Sequence, residues 1–238
     1  MSLLVVTGTG TGVGKTVVTA AVAALAAARG SRVAVVKPAQ TGVRADEPGD
    51  LADVRRLAAV TDLLEDARFP DPLSPAAAAR HAQLPPLDLR ASAERIIELA
   101  SGRDLVLVEG AGGLLVRYDD EGTTIADLAR SLAAAVLVVV DPALGTLNHT
   151  ALTLEALANR GLTLAGVVIG AWPAAPDLAC RSNVRDLETL AARPLAGALP
   201  AGAGALDAPE FLLAARAGLA PSLGGTFDAA DFRRADHH

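Results

Sequence analysis

The 238-residue chain has one cysteine, Cys180, and two lysines, Lys15 and Lys37. A lone cysteine excludes an intramolecular disulfide and offers no metal-ligand spacing. Basic residues form no clustered run and the formal net charge is −6, so no nucleic-acid partner is expected. The longest largely apolar run, residues 17–28, is too short and too alanine-rich to span a bilayer, so no membrane partner is expected. The opening MSLLVVTG lacks a cationic segment and runs straight into glycines, unlike a secretory leader. These absences point to a cytoplasmic enzyme. With 51% hydrophobic residues the chain can bury a large core.

The scarcity of lysine is selective. Of 21 basic residues, all but Lys15 and Lys37 are arginine. Arginine therefore serves wherever a surface cation is enough. A compact, movable ammonium is not interchangeable with a planar guanidinium, so the two lysines invite a functional reading.

Continuous apolar runs recur at residues 3–6 (LLVV), 33–36 (VAVV), 105–108 (LVLV), 135–140 (AVLVVV) and 164–169 (LAGVVI), with a weaker one at 194–199. Unbroken runs of this length read as strands buried on both faces, as in a parallel sheet. Segments 16–29, 87–99, 147–160 and 178–192 suit crossover helices. The fold expected is α/β: a single doubly wound domain over residues 1–238 with a mostly parallel sheet, the residues after about 225 forming a tail. The Pro-rich stretch 69–86 reads as a surface excursion beside a site. Ligands of such sheets bind beyond the carboxyl ends of the strands. There this chain places a glycine loop, KPAQTG, EGAGG and DPALGTLNH.

The loop is GTGTGVGKT, residues 8–16. The usual phosphate-loop pattern G-x-x-x-x-G-K-[ST] would put a glycine at position 9, where Thr9 stands; Gly8 comes one residue early. Its chemistry is nonetheless that of a phosphate cradle. Glycines allow close backbone approach, successive N–H groups form an anion nest, and the following helix adds its positive end. Lys15 would reach the outer phosphates and the Thr16 hydroxyl would hold Mg²⁺. Lys37 follows a strand, and Pro38 keeps it extended. Asp50 stands where a helix begins, which suits either an N-cap or a metal carboxylate. Glu109 directly follows a buried strand and needs a partner there, such as a nucleotide-bound Mg²⁺. Residues 145–148 form another helix start ready for an anion.

GTGTGVGKT, KPAQTG, VEGAGGLLV and GTLNHT together resemble, in order and spacing, the dethiobiotin synthetase family, a branch of the P-loop proteins that includes the ParA/MinD ATPases. The displaced first glycine matches the family loop G-T-x-T-x-V-G-K-T. The resemblance covers most of the chain and fades after about residue 200. It implies a homodimeric, ATP- and Mg²⁺-dependent ligase that joins CO₂ (or bicarbonate) to the diamine 7,8-diaminopelargonate through a carbamate and a carbamic–phosphoric anhydride. By resemblance, Lys37 is the catalytic lysine, and Lys15 and Thr11 stabilise the transferring phosphoryl group. The nucleotide lies along Gly12, Val13, Gly14, Lys15, Thr16, Val17, Asp50, Glu109, Gly110, Ala111 and Gly112. Thr16, Asp50 and Glu109 surround Mg²⁺. Thr41 and Lys37 contact the diamine or its carbamate. Gly145, Thr146, Leu147 and Asn148 receive the substrate carboxylate across a dimer interface. Gly170, Ala171, Pro200, Ala201 and Gly202 form the base pocket. Family members often carry Asn where this chain has Gly170, and Trp172 is left as a stacking partner, so a relaxed base choice is expected. Two rivals stand beside this reading. A ParA/MinD-like switch would carry an extra lysine in residues 8–12, which have none; an amidoligase would need a Cys/His glutaminase arrangement, for which Cys180 offers little.

Overall fold

The computed structural model describes residues 2–235. Among them, seven strands form one sheet in the order β3-β2-β4-β1-β5-β6-β7, and all neighbouring strands run parallel. The strands are β1 (Ser2–Gly8), β2 (Val33–Thr41), β3 (Asp62–Phe69), β4 (Leu105–Gly113), β5 (Ala135–Val140), β6 (Leu164–Trp172) and β7 (Gly197–Pro200). The helices are α1 (Lys15–Ala28), α2 (Asp50–Ala58), α3 (Pro75–Ala82), α4 (Leu89–Ala100), α5 (Ile125–Ser131), α6 (Thr146–Asn159), α7 (Leu178–Ala191), α8 (Ala208–Gly218) and α9 (Ala229–Ala235).

Strand side chains alternate between two cores. Val5 of β1 faces one, with α3 to α7; Val6 faces the other, with α1, α2 and α8. Burial on both faces explains why the strands read as unbroken apolar runs. One strand escapes that rule. β3 is an edge strand, half-buried along most of its length, and its sequence DLLEDARF mixes charges with apolar residues. Charges on an edge strand discourage pairing with another chain, and they also hide the strand from an apolar-run search.

Residues 226–235 are not a tail. Phe227 is buried, and Phe232 of α9 meets Trp172 edge-to-face with ring centroids 5.0 Å apart. The Phe227 N–H donates to the Leu219 carbonyl at 2.9 Å. Aromatic burial anchors the segment without a long periodic pattern that a sequence would display. The end of the RRADHH stretch, residues 236–238, lies outside the described residues. No described helix is long and apolar enough to cross a membrane.

The sheet opens where the site forms. β2 pairs with β4 through Val36↔Val108 and then parts from it, while continuing alongside β3 to Thr41↔Phe69. Lys37 and Glu109 are the first residues beyond the last β2–β4 pair. Lys37 therefore lies within β2, not past its end: pairing to β3 extends the strand beyond its apolar run.

Candidate active site

Four strand ends and the start of α1 build the site. Gly12 and Gly14 adopt positive φ (79° and 93°), which turns the loop so that α1 starts at Lys15. The loop is pressed against β6: a Cβ on Gly14 would lie 2.7 Å from the Gly170 carbonyl oxygen, and one on Gly170 would lie 2.0 Å from that of Val13. Only glycines permit this contact.

Lys15 donates to the Gly10 carbonyl at 2.8 Å, closing the loop on itself. Burial, helped by the nearby Lys37 cation, pushes its ammonium down to about 8 against the pull of Glu109 and Asp50. The Thr16 hydroxyl donates to Glu109 Oε1 at 2.9 Å. Lys37 Nζ donates to the same oxygen at 2.8 Å and lies 2.5 Å from Asp50 Oδ2. Burial disfavours charge on Lys37, but attraction and hydrogen bonds from Glu109 and Asp50 more than offset it and hold the ammonium above its ordinary range. Glu109 is fully buried, and its Oε2 has no partner among the described residues. A buried carboxylate oxygen left unpaired is costly unless a ligand completes it.

Asp50 is not an N-cap. Gly49 occupies that position, and Asp50 begins the helix with its carboxylate turned to Lys37. Two side chains hold it there. Gln40 Oε1 accepts from the Asp50 N–H at 2.8 Å. Arg68 of β3 donates to the carbonyls of Arg44 at 2.9 Å and Glu47 at 2.6 Å, stapling the loop that leads into α2. Tyr118 is buried, and its hydroxyl accepts from the Ala111 N–H at 2.7 Å, fixing the backbone just beyond Glu109.

A cavity of about 720 Å³ opens over these groups. Of the residues singled out in the sequence, Thr11, Gly12, Gly14, Lys15, Thr16, Val17, Lys37, Thr41, Asp50, Glu109, Ala111 and Gly112 line it. The expected excursion supplies Pro72, Leu73, Ser74 and Pro75. Gln40, Ala39, Val116 and Tyr118 were missed; Gln40 was visible inside KPAQTG, whereas Val116 and Tyr118 carry no sequence signal. Val13 is buried with its carbonyl against β6, and Gly110 sits behind, its carbonyl 3.4 Å from Lys37 Nζ.

Gly170, Ala171, Pro200, Ala201 and Gly202 lie off the cavity but beside one another: the Ala201 N–H donates to the Trp172 carbonyl at 2.7 Å. At Gly170 the loop backbone fills the space a side chain would take. Trp172 packs edge-to-face on Phe232 of α9. Gly145, Thr146, Leu147 and Asn148 begin α6 away from the cavity, with the Thr146 hydroxyl buried and unpaired among the described residues. A smaller recess of about 390 Å³ separates that helix from the loop, and Leu115 and Leu152 on its rim are exposed.

The donor set suits Mg²⁺ shared with phosphates, which needs one or two carboxylates and keeps its other positions for phosphate and water. It does not suit a cage of protein ligands: among the described residues no group of three or more His, Cys, Asp or Glu gathers.

Residues 2–205 match a family model described as an AAA domain. The chain is 66% identical over 98% of both lengths to the ATP-dependent dethiobiotin synthetase BioD of Parafrankia sp. (strain EAN1pec), and 59% identical over 99% of both lengths to that of Streptomyces avermitilis. Among solved structures, the septum site-determining protein MinD from Pyrococcus horikoshii, complexed with Mg-ADP, is similar with a TM-score of 0.55 at 17% identity over 94% of each chain. A ParA family ATPase from Chlorobium tepidum is similar with a TM-score of 0.53 at 16% identity, over 100% of this chain and 99% of that one. At such identities the likeness is one of P-loop fold alone.

Proposed function

Because the chain belongs to the dethiobiotin synthetase family, and so carries out ATP-dependent dethiobiotin synthesis in the biotin pathway, we propose that the cavity over Lys37 is where 7,8-diaminopelargonate, CO₂ and ATP react. The observation that carries this reading is the convergence of Lys37, Asp50, Glu109 and Thr16 on one point at the mouth of the phosphate loop. The loop amides and Lys15 bind the triphosphate, and the α1 dipole favours its charge. Thr16, Asp50 and Glu109 hold Mg²⁺, which when bound neutralises phosphate charge. Thr41 orients the diamine on the opposite wall, beside Pro72 and Leu73.

One amine of the substrate captures CO₂ as a carbamate and releases a proton. The carbamate oxygen attacks the γ-phosphorus, the bond to the β–γ bridging oxygen breaks, and ADP leaves. Lys37 and Lys15 balance the charge on the transferring group, with Thr11 donating from the loop. The second amine attacks the carbonyl of the mixed anhydride, closes the five-membered urea and expels phosphate. Positioning supplies most of the acceleration in such a sequence, and burial of Lys37 and Glu109 keeps the charges fixed.

The base lies on residues 170–171 and 200–202, which offer backbone groups and small side chains. We assign the working unit as a homodimer in which residues 145–148 meet the neighbour's substrate; the exposed Leu144, Leu152 and Leu115 support this, since apolar rims at this helix start suit a partner. A cytoplasmic site fits a reaction that consumes ATP. The test is coupled ADP release: with MgATP it should require both diamine and bicarbonate. Full-rate release with either one omitted would make the protein an ATPase of another kind.

A further inference from the structure

The carboxylates assigned to the metal are already paired, and with the catalytic lysine. Glu109 Oε1 accepts from both Thr16 Oγ1 at 2.9 Å and Lys37 Nζ at 2.8 Å, and Asp50 Oδ2 is 2.5 Å from the same ammonium. The three oxygens expected around Mg²⁺ thus surround Lys37 Nζ, directly or through one shared atom. Lys37 is 3% exposed and Glu109 is fully buried, so neither charge is balanced by water. Lys15, the other nearby cation, is bonded to Gly10 instead and makes no hydrogen bond to either carboxylate. A buried carboxylate stripped of its only cation carries a heavy desolvation penalty. Lys37 therefore cannot leave these oxygens until another cation takes its place.

We propose that in the nucleotide-free protein the Lys37 ammonium occupies the place of the metal ion, so that metal enters only with the nucleotide and its entry releases Lys37 toward the reacting groups. The charges support the order. One ammonium against two carboxylates leaves a single residual negative charge, too little to draw a divalent cation from its water. A triphosphate brings the negative charge that the metal needs, and it also offers Lys37 a new anionic partner. Exchange of partners then arms the lysine only in the loaded site, and no free ammonium is exposed beforehand to the wrong acceptor. This inference rests on the assignment of Thr16, Asp50 and Glu109 to the metal.

The composition supplies the assay. With two lysines in the chain, ¹⁵N-lysine labelling yields two side-chain ammonium resonances, and Lys15→Arg identifies which belongs to Lys37. Mg²⁺ alone should leave the Lys37 resonance in place, whereas Mg²⁺ with a non-hydrolysable triphosphate should shift it. A shift with Mg²⁺ alone, or none in the ternary complex, overturns the proposal. Independently, Mn²⁺ binding without nucleotide, followed by electron paramagnetic resonance, should be at least about tenfold tighter in Lys37→Met than in the wild type, since a unit charge at contact distance from a buried carboxylate is removed. Lys15→Met should stay within about threefold of wild type. Equal Mn²⁺ affinity in wild type and Lys37→Met refutes the exchange. If Lys37→Met does not fold, the wild-type spectra decide alone. Failure of Mn²⁺ to bind even with nucleotide would instead strike the metal assignment itself.

Discussion

Replacing Gly170 by alanine tests how the phosphate loop is held in place. The added Cβ would lie 2.0 Å from the Val13 carbonyl oxygen and 2.7 Å from Val139 Cγ1, where ordinary contact begins at 3.4 Å. The Val13 oxygen belongs to backbone, and Val139 is fully buried in β5, so neither can swing aside as a flexible side chain would. The loop must retreat by more than about 1 Å, carrying Lys15 and Thr16 with it. Overpacking of this kind costs about 1–3 kcal/mol, which lowers the unfolding midpoint by roughly 2–12 °C in a chain of this length. A displacement of about 1 Å at a reacting centre costs roughly 10²-fold in rate. The assay is kcat/KM for ATP, CTP and GTP at saturating diamine and bicarbonate, paired with thermal unfolding. All three triphosphates should lose about 10²-fold together, because the loop grips the phosphates they share. Wild-type kinetics and stability in Gly170→Ala would refute the contact. A change confined to the ratio among bases would refute the structural role and return position 170 to base recognition.

Lys37→Ala should lower turnover by at least ~10³-fold while nucleotide binding, measured by calorimetry, persists through Lys15 and the loop amides; Lys37→Arg should not restore activity. Turnover within about tenfold of wild type would remove Lys37 from the mechanism. Glu109→Gln and Asp50→Asn should each raise the Mg²⁺ concentration needed for half-maximal rate, and an unchanged titration in either would exclude that carboxylate as a metal partner. Lys15 supplies a pH dependence. Its folded value of about 8 lies below the ordinary 10.5, and bound phosphates favour its charged form, so binding takes up a proton above that value. Triphosphate affinity should therefore be flat below pH 8 and weaken as pH rises through it; Lys15→Met should abolish the dependence, and its survival there would assign the titration to another group. With no room for a side chain at Gly170 and small residues at Ala201 and Gly202, efficiencies with ATP, CTP and GTP should fall within about two orders of magnitude, and a preference for ATP above about a thousandfold would show a strong base reader elsewhere.

The strands buried on both faces are legible in the amino-acid order, because each needs an unbroken apolar run, and so is the phosphate loop, because its glycines and the Gly14-Lys15-Thr16 ending are local requirements of backbone shape and charge. The sequence also marked the two lysines, since arginine replaces lysine everywhere that a simple cation serves. Order and spacing of four motifs carried the family. Tertiary structure alone decided the rest. The edge strand β3 is made by pairing with β2 rather than by its own hydrophobicity, and through it Arg68 reaches the loop that aims Asp50. Whether Asp50 capped its helix or faced the site depended on where α2 starts relative to Lys37, a matter of packing between distant segments. The lack of a side chain at Gly170 and the packing of Trp172 are set by the loop and by α9 pressing on them, neighbours remote in sequence. The shared grip of Glu109 and Asp50 on Lys37 joins residues from three elements, and such a balance of buried charge exists only once the chain has brought them together.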